Sequence, residues 1–206
     1  MKIFTFLLLT LLSFQAHCQN NLFRHNQDIY SDFGYTKEEI SNLKSQGTLS
    51  IFNKERHNSN LANKLFDLRE GGTLKLNNAK NKKLKVIKKV EVEHYRINYI
   101  FFDGSKMSYE DLDSLRDRIL EMSKTKRFED LAQRYSMDMN KNRGGDSGWF
   151  KKRSVPEDFK NSALSSIRAS NETFKVDLEQ NDWYYLILKS YSPQLIEEIL
   201  VLETQD

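Results

Sequence analysis

The first hydrophobic run, Ile3 to Leu12, follows Met1 and Lys2 and is interrupted only by threonine. It has the length of a signal-peptide core and is too short to cross a bilayer comfortably. Ala16-His17-Cys18 then fits a small-x-small cleavage site before Gln19, which predicts soluble export. A lipid-anchored Cys18 is the disfavoured alternative, because Gln15 and His17 stand where such a site wants small residues. Beyond residue 18 no stretch approaches the ~20 apolar residues of a membrane helix.

Residues 19–54 are polar, with one helix start at Thr36, where Glu39 three places on completes a capping box. Leu61, Leu65, Phe66 and Leu68 recur at helical spacing until Gly71-Gly72 stops them. Thr73 to Leu76 alternates as a strand, Asn77-Asn78 marks a turn, and Leu84 to Val90 resumes as a strand. Tyr95 to Phe102 reads as a buried strand closed at Asp103-Gly104. Ser108 caps a helix with Leu112, Leu115, Ile119 and Met122 on one face, and a second helix presents Phe128, Leu131, Ala132 and Tyr135. Gly144, Gly145 and Gly148 make a tight turn before Trp149-Phe150. Pro156 opens a helix with Phe159, Ala163, Leu164 and Ile167 inward. Thr173 to Leu178 and Trp183 to Ser190 are strands separated by the turn Gln180-Asn181-Asp182. Helices gathered within an antiparallel sheet make the fold α+β.

Composition narrows the chemistry. Thirteen Phe and nine Tyr among 206 residues supply the apolar area for a packed core. Thirty-two basic against 29 acidic residues leave +3, which gives no reason to expect a nucleic-acid partner. The lysines around residues 80–89 read as the wet face of a strand rather than a site for an anionic surface. A single cysteine excludes a disulfide framework and a Cys-cluster zinc site. There is no His-Glu-x-x-His pair for a metal, no Gly-x-Ser-x-Gly elbow, and no phosphate-binding lysine after the glycines, so no cofactor is expected.

Three pieces in order, Phe128-Glu129-Asp130-Leu131-Ala132-Gln133-Arg134-Tyr135-Ser136, Gly144-Gly145-Asp146-Ser147-Gly148-Trp149-Phe150 and Val155-Pro156-Glu157-Asp158-Phe159, resemble the parvulin family of peptidyl-prolyl isomerases. The resemblance spans residues 94–191 and implies a four-stranded antiparallel sheet surrounded by helices, with a shallow proline pocket. Residues 19–93 are then an N-terminal extension and residues 192–206 a C-terminal tail. Carried onto this chain, the family's Cys-or-Asp position falls on Asp138, its aromatic floor on Phe159, and its neighbouring pocket residues on Val155 and Leu164. The family's two histidines fall on Tyr99 and on Tyr184, with Tyr185 the one-residue alternative. The resemblance implies an exported foldase acting on X-Pro bonds of unfolded secreted or outer-membrane proteins in the periplasm. A non-catalytic chaperone or interaction module, and more weakly a structural subunit, are the alternatives raised by the tyrosines. Residues 60–90 also echo residues 161–188 in element order. Read as half of a degenerate parvulin-like unit, residues 47–90 would need a partner, either the complete domain or a second chain.

Overall fold

The structure is a computed structural model that describes residues 28–76 and 81–205. The expected signal segment, Cys18 and the Asn77-Asn78 turn lie outside the described residues. The elements are α1 (Lys37–Gln46), β1 (Thr48–Asn53), α2 (Asn60–Phe66), β2 (Thr73–Leu76), β3 (Lys82–Tyr95), β4 (Asn98–Asp103), α3 (Tyr109–Met122), α4 (Phe128–Tyr135), β5 (Phe150–Lys151), α5 (Glu157–Ala163), β6 (Thr173–Leu178), β7 (Trp183–Leu188) and β8 (Gln194–Gln205). Among the described residues no helix is long and apolar enough to cross a membrane. The chain divides into two compact units. One holds residues 96–148 and 154–191; the other holds residues 28–95, 149–153 and 192–205, so that the first is inserted in the sequence of the second.

The outer unit in sequence is a sheet ordered β1-β8-β3-β2, with β5 also paired to β3. The capping box at Thr36 is formed: the Glu39 amide donates to Thr36 Oγ1 at 3.2 Å, and the Thr36 amide donates to Glu39 Oε2 at 2.7 Å. The segment read as a tail is β8, lying between β1 and β3 with Ile51 opposite Leu200 and Val86 opposite Val201. Ile199 and Val201 join Ala62, Leu65, Phe66, Leu84 and Val86 in one core, while Leu200 joins Phe33 and Ile40 in another. A strand buried on both faces shows a continuous apolar run instead of alternation, which is why periodicity alone did not identify it. β1 is likewise a strand in a stretch expected to hold only a helix. Three lysines of β3 are paired, Lys82 with Glu203, Lys88 with Glu70 at 3.6 Å and Lys89 with Glu197 at 2.8 Å. Of the helix, strand, turn, strand order expected over residues 60–90, the helix and the two strands are present as α2, β2 and β3. The chain's own β8 and β1 complete the sheet that these elements begin.

The inserted unit is α+β with antiparallel strands, as expected, but its sheet is β4-β7-β6, three strands instead of four. The segment after the glycines pairs elsewhere, Phe150 with Tyr95 and Lys151 with His94. The glycine turn instead covers the outer edge of β4. The Tyr99 amide donates to the Gly145 carbonyl at 2.9 Å, and the Ser147 amide to the Ile97 carbonyl at 3.0 Å. At Gly145 φ is +80°, and a Cβ would lie 2.5 Å from the Tyr99 carbonyl oxygen, so only glycine fits this approach. One face of the sheet packs on α3 and α4 through Ile100, Phe102, Tyr184, Leu186, Leu112, Ile119, Phe128 and Leu131. Ile167, expected inward, is 92% exposed. α5 ends at Ala163, and Ser165 then turns the chain by accepting from the Ile167 amide at 3.3 Å.

Candidate active site

Alternation along β4 sends Tyr99 and Phe101 to the face opposite α3 and α4, and pairing puts Tyr185 directly across from Phe101. Tyr185 is fully buried, and its ring lies 5.9 Å from Tyr99, 5.4 Å from Phe101 and 5.4 Å from Phe159. The contacts with Tyr99 and Phe159 are edge-on, the arrangement favoured by the ring quadrupoles. Phe159 reaches this face from α5. Val155 and Leu164 bracket that helix, 3% and 8% exposed.

Tyr184 lies elsewhere. One residue out of phase, it faces the helix core, with the Tyr109 ring 5.5 Å away and the buried Arg116 guanidinium 5.3 Å from its centroid. Arg116 is held there by Asp177 and by Asp113 at 2.7 Å. Of the two candidate tyrosines at this position, Tyr185 shares the face of Tyr99 and Phe159, and Tyr184 does not.

Asp138 is brought to the site by the chain that runs beside β4 after α4. The Met137 amide donates to the Phe101 carbonyl at 2.9 Å, and Ser136 Oγ accepts from the Phe101 amide at 3.0 Å. Asp138 then caps a 3-10 turn, Met139–Arg143, that leads into the glycines. Its Oδ1 accepts from Ser136 Oγ at 2.8 Å and from the Asn140 amide at 3.2 Å, and its Oδ2 accepts from Tyr99 Oη at 2.9 Å. Burial, and then the Asp138 carboxylate, push the Tyr99 phenol far above its ordinary range, so that it remains a protonated donor.

Sequence reasoning gave Ser136 no role, although it stands two places before Asp138, within reach of a local side-chain bond. Phe101 is within reach of the period-two rule once Tyr99 is placed, and Tyr185 is the one-residue alternative already raised. Asp146, in the glycine motif, has a structural task. Burial opposes its ionisation, but Arg96, whose Nε donates at 2.9 Å, and the Gly148 amide at 2.8 Å hold its carboxyl below the usual range.

The arrangement holds an oriented hydroxyl and carboxylate beside an aromatic floor. Among the described residues no cluster of His, Cys, Asp or Glu is placed to hold a metal.

The family model described as the PPIC-type PPIase domain matches residues 74–188 of the chain. Among solved structures, a crystal structure of PrsA from Bacillus subtilis is 27% identical, with a TM-score of 0.36, and the match covers 50% of this chain and 35% of that one. The chain therefore spans about a third of the length of that structure. No curated protein matches.

Proposed function

The chain belongs to the PPIC-type peptidyl-prolyl isomerase family, and on that premise we propose that it is an exported foldase that binds proline-containing segments of unfolded polypeptides and speeds their cis-trans exchange. The observation that carries this reading is the convergence of Tyr99, Asp138, Tyr185 and Phe159 on one face of the sheet, with Tyr99 and Asp138 bonded at 2.9 Å. Val155 and Leu164 complete the apolar wall.

The chemistry asked of this site is small. Rotation about the peptide bond meets a barrier of ~18–20 kcal/mol because resonance stiffens it. The twisted transition state has less charge separation than the planar amide, so an apolar pocket favours it. A thousandfold gain needs about 4 kcal/mol, the scale of pocket desolvation plus one oriented hydrogen bond. The Tyr99 hydroxyl, held by Asp138, is the group that orients the prolyl amide; Phe159, Val155 and Leu164 take the ring. Residues 1–18 direct the chain out of the cytoplasm to the periplasm, where secreted and outer-membrane proteins fold; a lipid-anchored form at Cys18 is the weaker reading. The working form needs neither cofactor nor nucleic acid.

One observation favours a second reading, a binding module without turnover. Phe159 and Tyr185 are fully buried, so a proline ring must displace side chains to reach the floor. A protease-coupled or NMR-exchange isomerase assay on residues 19–206 with X-Pro peptides, alongside Phe159→Ala and Asp138→Ala variants shown to be folded, separates the two. Turnover that falls in both variants supports the enzyme. A folded chain that lacks turnover yet suppresses client aggregation is the binding module.

A further inference from the structure

We propose that the outer edge of β1 pairs with the same edge of a second copy of this chain, in an antiparallel two-fold ladder centred on Ser50. The direction of each backbone group on β1 follows from its neighbours. The Lys54 amide donates inward to the Glu197 carbonyl at 3.0 Å, whereas the Asn53 amide donates outward to His57 Nδ1 at 2.9 Å. Antiparallel pairing alternates strictly, so Thr48, Ser50 and Phe52 bond to β8, and Leu49, Ile51 and Asn53 turn their N–H and C=O groups away from it.

At Asn53 those outward groups are occupied, the carbonyl by the His57 amide at 2.9 Å. At Leu49 and Ile51 they have no backbone partner among the described residues. Exposed strand edges are ordinarily guarded by charge, proline or a bulge. The opposite edge of this sheet, β2, carries Lys75 facing Lys83. β1, Thr-Leu-Ser-Ile-Phe-Asn, carries no charge and no proline.

The open groups are self-complementary. With the two-fold axis at Ser50, Leu49 of one copy stands opposite Ile51 of the other, and each such pair exchanges two N–H···O bonds. The same axis puts Leu49 and Ile51 of both copies on one side, continuing the apolar layer they share with Phe33, Ile40 and Leu200. Ser50, whose side chain is exposed, meets its own copy at the centre, and the His57 bonds end the ladder at Asn53. An edge this short makes a weak, reversible dimer.

The test uses residues 19–206, which contain every described residue and no cysteine. Sedimentation velocity from about 1 μM to about 1 mM is expected to show monomer passing to dimer. Ser50→Lys, which places two like charges face to face without touching the monomer's core, is expected to weaken association at least about tenfold. Under mild oxidation Ser50→Cys is expected to give a disulfide dimer, since Cα atoms of a non-hydrogen-bonded pair are ~4.5 Å apart, within disulfide reach. Thr48→Cys, which meets Phe52, is expected to cross-link little. A chain monomeric throughout, equal cross-linking of the two cysteine variants, or Ser50→Cys that links only to an added cysteine-bearing client peptide overturns the proposal.

Discussion

The Tyr99 hydroxyl donates to the Asp138 carboxylate across 2.9 Å, and Tyr99 is 4% and Asp138 8% exposed. A buried carboxylate with three donors loses its compensation when one is removed. Tyr99→Phe is therefore expected to destabilise the chain by about 1–2 kcal/mol, read as a lowered urea midpoint, and to reduce isomerase turnover. Asp138→Ala leaves both the Tyr99 and Ser136 hydroxyls without their acceptor and is expected to cost more. Unchanged stability in both variants would show that the bond contributes nothing.

Tyr184 and Tyr185 are neighbours in sequence with opposite surroundings. Tyr185→Ala opens a cavity beneath Phe159 and is expected to cost about 3–5 kcal/mol and to abolish peptide binding. Tyr184→Phe retains the ring against Arg116 and Tyr109 and is expected to leave turnover within about twofold, since it lies on the other face. Because no described histidine stands in the site and the Tyr99 phenol is pushed upward, turnover is expected to be flat from pH 6 to 8. A step near 6.5 in the rate profile would point to a histidine instead.

The buried Glu198 carboxylate, 3% exposed, gives the outer unit a distinct acid response. Desolvation works against its ionisation, but hydrogen bonds from His94, Lys151 and Asn53 outweigh it and hold the pKa at about 2. A group depressed on folding contributes its stability above the unfolded value, 4.5, and loses it as the pH falls toward 2. The contribution is roughly 3 kcal/mol. Urea unfolding from pH 7 to 3 should lose more than half of this amount, roughly 2 kcal/mol, with the rest going as the pH nears 2, and Glu198→Gln should be weaker at pH 7 with a flatter slope. Parallel slopes for the two proteins would remove Glu198 from the account.

The glycines are not equivalent. Gly145→Ala meets both left-handed strain and a Cβ 2.5 Å from the Tyr99 carbonyl, whereas at Gly148, with φ of +66°, nothing lies within 4 Å. Gly148→Ala is expected to cost about 1–2 kcal/mol, the conformational penalty alone. Gly145→Ala should exceed it clearly in thermal unfolding and should lower turnover as well, because β4 carries Tyr99.

The inserted unit was legible in the chain because its elements are local. Ser108 does cap α3, with the Asp111 amide donating to its Oγ at 3.2 Å, and α4 carries the face that the spacing of Phe128, Leu131 and Ala132 implied. Asp138, Phe159, Val155, Leu164 and Tyr99 are legible only through the resemblance to the parvulin family. The choice between Tyr184 and Tyr185 needed register, since a one-residue slip exchanges the faces of a strand. β1, β8 and the pairing of β5 were hidden for a different reason. Each is fixed by a partner distant in sequence, such as Glu203 for Thr48, and no local pattern encodes that choice.

β8 follows every other described strand in the sequence, yet it lies between β1 and β3. During synthesis, residues 96–191 are all delivered before β8, so the inserted unit can close while the outer one still lacks its middle strand. Until β8 arrives, β1 and β3 have no partner on the side that it will fill. The order of birth thus opposes the order of the sheet, and a chain that stalls or is clipped after Tyr191 presents two sticky strands to its surroundings.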